Sequence, residues 1–193
     1  MSRNRPLVSS LAVLGLAILF LTACSVNVHK EQNGHDKQVD IKTPVGGIHV
    51  SKGVDPQDVG IAVYPGATLA PQSDGNDKSA NVNISGFGYG LKVVALEYES
   101  KDSPNKIVAF YQDQLKRYGD VIICHTSSLH VNSGIKKTDG NPHSLTCEGD
   151  SGKDVELKVG TQENQHIVGV EPTDSGSKFS LVYVRAHGKE SEI

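Results

Sequence analysis

Residues 103–119 read SPNKIVAFYQDQLKRYG, and this stretch contains the clearest helix that the sequence predicts. Ser103 is a favourable N-cap residue, Pro104 suits the first helical position, and Gly119 is a typical stop after the last turn. The apolar side chains between them recur at helical spacing; they are Ile107, Val108, Phe110, Tyr111, Leu115 and Tyr118. One face of this helix is therefore expected to pack against the rest of the domain.

The segments around this helix have the alternating or continuous apolar patterns that are typical of strands. The predicted strands cover residues 38–42, 48–50, 61–64, 80–85, 91–98, 121–124, 155–159, 166–170 and 179–185. The run GFGYG at 86–90 lies between two of these strands and not before a helix, so it predicts a hairpin turn rather than a phosphate-binding loop. One helix among many strands predicts a two-layer α+β domain, with one main helix packed on a mostly antiparallel sheet.

The first 23 residues have the composition of an export signal. Arg3 and Arg5 precede an apolar stretch from Leu7 to Ala23, and small residues lie before Cys24. A spanning helix needs roughly 20 apolar residues, so this stretch is marginal as a permanent anchor. An uncleaved membrane helix is one alternative, and ordinary signal cleavage with Cys24 as a bystander is another.

Leu21-Thr22-Ala23-Cys24 resembles the lipobox of bacterial lipoproteins. The resemblance implies cleavage before Cys24, a diacylglycerol on its sulfur and a further acyl chain, such as palmitate, on the new N-terminus. Two or more such chains hold a protein firmly on a membrane. In the enterobacterial lipoproteins that this segment resembles, an Asp directly after the cysteine retains the protein in the inner membrane. This chain has Ser25 at that position. The resemblance thus favours the outer membrane of a bacterial cell envelope, with the domain facing the periplasm or the exterior.

The sequence divides into four predicted parts. Residues 1–23 are the signal peptide, 24–37 a lipidated flexible tether, 38–188 a single α+β domain that starts with a hairpin over 38–53, and 189–193 a tail. The chain of 193 residues has a formal net charge of −3, and loss of residues 1–23 removes two Arg and no acid. This acidic balance argues against nucleic acid as a partner and against electrostatic adhesion to anionic lipid.

Cys124 and Cys147 remain once Cys24 is assigned to lipid. In an exported protein such a pair favours a disulfide over a metal site, and two separate buried thiols are the alternative. The bond would close a polar loop that we take as the candidate binding loop. Its candidate contact residues are His125, His130, Lys136, Lys137 and His143.

No recognisable motif predicts a catalytic residue, a resident metal ion or a cofactor. The sequence therefore favours a membrane-anchored, non-catalytic binding domain whose partner is an unidentified envelope protein or small ligand. A metal-binding protein or metal-dependent hydrolase that uses the loop histidines is the alternative, since zinc sites use histidine in such numbers.

The stretch from Asp102 through Phe110-Tyr111 to Gly119, after a Tyr-Pro-Gly-Ala turn at 64–67, resembles a segment of small uncharacterised exported bacterial domains. This resemblance implies no particular activity.

Overall fold

A computed structural model describes residues 24–30, 37–51, 53–71, 79–127, 144–147 and 151–188. The described chain is dominated by one antiparallel sheet, with one short α-helix. The strands are β1 (Ser25–Lys30), β2 (Lys37–Thr43), β3 (Gly46–Ser51), β4 (Thr68–Leu69), β5 (Ser79–Gly86), β6 (Tyr89–Ser100), β7 (Ile122–Thr126), β8 (Asp154–Thr161), β9 (Asn164–Thr173) and β10 (Gly176–His187). The helix α1 spans Pro104–Leu115.

The strands follow the order β1-β2-β3-β5-β6-β10-β9-β8-β7, and the two-residue β4 also pairs with β6. The last strand, β10, lies in the middle, because it pairs with β6 on one side and β9 on the other. The predicted hairpin at 86–90 is present, with Phe87 and Gly88 as its two turn residues between β5 and β6.

The helix begins where the sequence predicts. Ser103 occupies the N-cap position with extended backbone, although its side chain makes no cap hydrogen bond, and Pro104 is the first helical residue. A turn of 3-10 helix over Lys116–Tyr118 follows, and Gly119 ends it with a φ of 136°. Ile107, Tyr111 and Leu115 are fully buried, so one face of the helix is committed to the core.

The main core lies between this helix and the sheet. Its buried side chains are Val59, Ile61, Val94, Leu96, Tyr98, Ile107, Tyr111, Leu115, Leu157, Val159, Val168, Val170, Phe179 and Leu181. The helix contacts β8, β9 and β10. The predicted two-layer arrangement therefore fits only loosely, because the sheet extends through β5, β3, β2 and β1 beyond the strands that the helix contacts.

Two predicted elements differ from the observed ones. Residues 61–64 do not form a strand; Ile61 enters the core from irregular chain instead. Ser25–Lys30, which the sequence assigns to the flexible tether, form strand β1, paired with β2 from Ser25↔Lys42 to Lys30↔Lys37. Residues 31–36 of that tether lie outside the described residues, and β2 and β3 form a hairpin at the predicted position.

The face of the sheet opposite the helix is apolar toward one end of the strands and charged toward the other. Val182, Val184 and Ile167 form a small buried cluster there with Leu91, Val93 and Ala95. Toward the other end of the same strands this face becomes charged, with Lys178 3.3 Å from Glu97 and 3.8 Å from Glu171. Among the described residues, no helix is both long and apolar enough to cross a bilayer.

Candidate functional site

The disulfide that the sequence predicts is present, and Cys24 stands apart from it. Cys124 and Cys147 form a disulfide across 23 positions of sequence, with their Cα atoms 5.4 Å apart. Cys24 is exposed and carries a free thiol. It directly precedes the first residue of β1, so any group attached to it lies at one end of the sheet.

Most of the candidate binding loop lies outside the described residues. His130, Lys136, Lys137 and His143 belong to that part, and their roles remain predictions. His125 is exposed on β7, opposite Val155 of β8. The end of the loop is joined to the sheet by the disulfide and by the Gln162 Nε2 donor, 3.2 Å from the Ser144 carbonyl oxygen. No group of three metal-binding side chains occurs among the residues that the structure describes.

A cluster of exposed apolar side chains lies at the end of the sheet where β1 begins, and we call it the apolar end. Its members are Val26, Val45, Ile48, Ile84, Phe87 and Tyr89. Phe87 is 73% exposed, Val26 63% and Tyr89 61%. Every exposed large apolar side chain in the described chain belongs to this cluster or its neighbour Val28, except Leu69 and Ile123.

Strand register explains how residues so far apart in sequence meet. Val26 pairs with Ile41, and each residue of this row pairs with the next one across the sheet, through Ile48 and Ile84 to Leu91. Their side chains therefore lie in one row on the helix-free face of the sheet. Paired residues across antiparallel strands share a face, with Cβ atoms about 5 Å apart. The sequence showed the alternation within each strand but not this pairing, so the cluster was not predicted.

Two tight turns form the tip of the apolar end. The Phe87 N–H donates to the Val45 carbonyl oxygen at 3.2 Å, which places the β5–β6 turn against the β2–β3 turn. A Cβ atom on Gly46 would overlap the Ser85 carbonyl oxygen, so only glycine fits where β3 meets β5. Phe87 has a φ of 53° and is the one non-glycine residue with positive φ in the described chain.

The opposite face of the same strands is polar. Asp40 Oδ1 lies 2.6 Å from His49 Nδ1, and both residues are in register with Asn27 and Asn83. The helix-free part of the sheet is therefore amphipathic, with its apolar side chains on the face that the helix does not occupy.

The ionisable groups near the helix serve packing and local ion pairing. Asp102 accepts hydrogen bonds from Lys106 Nζ at 2.7 Å and from the Tyr64 hydroxyl at 3.0 Å, and these two donors lower the pKa of its carboxyl. The hydroxyl of Tyr111 accepts from the Tyr64 N–H at 3.0 Å, and burial raises the pKa of this tyrosine. These contacts fix Tyr64 both to the start of the helix, through Asp102, and to its buried face, through Tyr111.

His166 lies between two tyrosine rings on the helix side of the sheet. Its ring centroid is 4.0 Å from that of Tyr118 and 4.9 Å from that of Tyr183. Burial lowers the pKa of His166, and a hydrogen bond to the backbone of Val59 opposes that shift. The Tyr118 hydroxyl donates to the Gly60 carbonyl oxygen, so this stack closes the loop after Val59 over the core.

No family model, curated protein or solved structure matches the chain.

Proposed function

We propose that the protein is a lipid-anchored, non-catalytic interaction protein of the bacterial cell envelope. The observation that carries the proposal is Cys24, which follows Leu21-Thr22-Ala23 and a basic-then-apolar leader. Its thiol is exposed and free, whereas the other two cysteines form a disulfide, and this is consistent with a site that receives lipid. We favour the outer membrane, because Ser25 is not an acidic residue.

The fold supports a binding role through the division of its sheet. We infer that the two-layer half, where α1 packs on β8, β9 and β10, is the rigid scaffold. Binding is then assigned to the disulfide-closed loop, which the sequence favours, and to the exposed end of the sheet, whose strands β1, β2, β3 and β5 lie beyond those that the helix contacts. Loops and edges that are held by a rigid scaffold commonly carry binding.

The anchoring step is tested by intact mass of the full-length protein isolated from membranes of a bacterial host. We expect a mass that lacks residues 1–23 and includes acyl groups. Cys24→Ala should abolish both changes, whereas the matched control Ser25→Ala should keep them. A mature protein without residues 1–23 and without acyl mass would contradict the anchor.

The binding step is tested by crosslinking in native membranes, followed by mass spectrometry. We expect one reproducible envelope partner, and we expect replacement of His130, Lys136 and Lys137 by alanine to weaken its capture. Unchanged capture by that triple variant would move the partner site away from the loop.

A further inference from the structure

The exposed apolar side chains of the apolar end lie close to the proposed lipid attachment point. Ser25, which follows Cys24, pairs with Lys42, and that row continues through Gly47 and Ser85 to Gly90. The two turns that carry Val45 and Phe87 begin just beyond this row. Three strand spacings separate β1 from β5, which is about 14 Å. An acyl chain on Cys24 would therefore enter the bilayer beside these turns.

Phe87 is costly to the folded protein in two ways. Its large side chain is exposed at the tip of a turn, and its backbone has the left-handed conformation that favours Gly or Asn. In a two-residue turn whose second residue is Gly88, asparagine would adopt the left-handed backbone conformation at position 87 more readily than phenylalanine. An aromatic residue at this place indicates that its ring is used outside the fold.

The charge distribution around the apolar end suits a lipid surface. The two rows of paired residues nearest the turns are those that start at Ser25 of β1 and at Thr43 of β2 and run to β6. These rows and the two turns include no Asp or Glu, and Lys42 is their one formally charged side chain. Anionic headgroups attract lysine and repel carboxylates, and aromatic rings are enriched at the membrane interface. Glu97 and Glu171 lie toward the opposite end of their strands. The carboxylate nearest in register is that of Glu163 in the β8–β9 turn, two strands beyond β6, and the carbonyl oxygen of this residue accepts from the Ala186 N–H.

We propose that the apolar end contacts the bilayer that holds Cys24, with the rings of Phe87 and Tyr89 among the headgroups. This inference rests on the proposed function in taking Cys24 as the attachment point. The sheet then stands on the membrane by its turns, with its charged end directed away. A bilayer fits better than a second copy of the chain because the apolar end extends past the sheet face into the turns. A sheet packed on the row that holds Val26, Ile48 and Ile84 would leave Val45 and Phe87 uncovered at the tip, whereas a bilayer at the tip reaches both.

The experiment uses the absence of tryptophan from this chain. Phe87→Trp introduces a single reporter at the tip, and Tyr89→Trp is a second reporter if the turn does not accept the first. Leu69→Trp is the matched control, because Leu69 is also exposed but pairs with Tyr98. Tyr98 is about 30 Å along β6 from Tyr89. Each full-length variant is isolated from membranes and reconstituted in phosphatidylcholine–phosphatidylglycerol vesicles, with or without brominated phosphatidylcholine.

We expect brominated lipid to reduce the emission of the tryptophan at position 87 or 89 by at least about twofold, because the interface places the indole within reach of the acyl chains. The control at position 69 should keep its emission. Equal emission changes at the tip and at position 69, or none at the tip, would overturn the contact. A blue shift that follows protein concentration and ignores brominated lipid would assign the end to a second copy and would also overturn it.

Intact mass of the same samples separates this inference from the proposed function. Acylated protein without tip quenching would leave the anchor standing and overturn the contact. Tip quenching in protein without acyl mass would support the contact and contradict the anchor.

Discussion

Individual side chains in this protein tie irregular segments to the sheet, and His166 is the clearest case. Its ring fills the space between Tyr118, which follows the helix, and Tyr183 on β10. The sequence marks His166 only as part of a strand, because nothing local to it shows which rings will enclose it. The contact with Tyr118 joins residues 48 positions apart, from the end of the helical segment to β9.

The enclosed ring predicts a pH-dependent stability. Because burial lowers the pKa of His166 in the folded protein, protonation favours the unfolded chain. The free energy of unfolding should therefore be at its highest above the unfolded pKa of about 6.5 and should fall as the pH drops below it. Urea unfolding across this range measures it.

His166→Phe should keep the ring stack and remove that part of the pH dependence. His125→Gln is the matched control, since His125 is exposed on the edge strand β7. An unchanged slope in His166→Phe would show that another group titrates.

At the scale of elements, the sequence predicted those whose pattern is complete within one segment. The N-terminal boundary of the helix was predicted, because a cap residue and a proline mark it and six apolar residues follow at helical spacing. Strand β1 was missed, because its two valines lie in a polar segment and nothing local shows that they pair with Val39 and Ile41 of β2. Residues 61–64 are apolar because Ile61 and Val63 pack on the core, not because they pair as a strand.

The close contact of β3 with β5 predicts that a single methyl group added at Gly46 lowers the stability of the folded protein. Gly46→Ala would place a Cβ atom against the Ser85 carbonyl, and the strands would have to separate locally. We expect a loss of about 1–3 kcal/mol in the free energy of unfolding, as for other overpacked sites.

Gly47→Ala is the control, because its Cβ atom would lie 3.2 Å from the Ile41 carbonyl oxygen, where a small shift suffices. Thermal unfolding and amide hydrogen exchange in β3 and β5 compare the two variants. Equal effects would show that the sheet end relaxes freely.

At the scale of the whole molecule, the cysteine pairing could be predicted and the amphipathic sheet could not. Assigning Cys24 to lipid leaves a single pairing for the other two cysteines, and the predicted disulfide between them is confirmed. The apolar end depends on the register of five strands, and register is set by long-range pairing and turn geometry. Ile48 and Ile84 have the local pattern of ordinary half-buried strand residues, Val45 falls in a turn, and Val26 falls in the segment that the sequence assigns to the tether.

The disulfide predicts a global effect on stability. It joins β7 to a segment 23 positions later, and a crosslink of that length contributes about 3 kcal/mol in the chain-entropy account. Replacing both Cys124 and Cys147 by alanine should lower the free energy of unfolding by about that amount. Urea unfolding of the double variant and of the reduced wild-type protein should agree; a loss in only one of them would point to a packing effect of the substitutions.

The central position of β10 has a consequence for how the chain is made. β10 is the last strand in sequence, yet Phe179 and Leu181 complete the core under the helix, and β6 and β9 meet only through it. If a chain with this topology crosses a membrane N-terminus first, the strand that joins the two parts of its sheet is the last one to arrive. Until β10 is available, β6 and β9 are the open edges of two separate parts of the sheet, each with an uncovered apolar surface, so the export that we propose for this protein would have to deliver almost the entire chain before the fold could be completed.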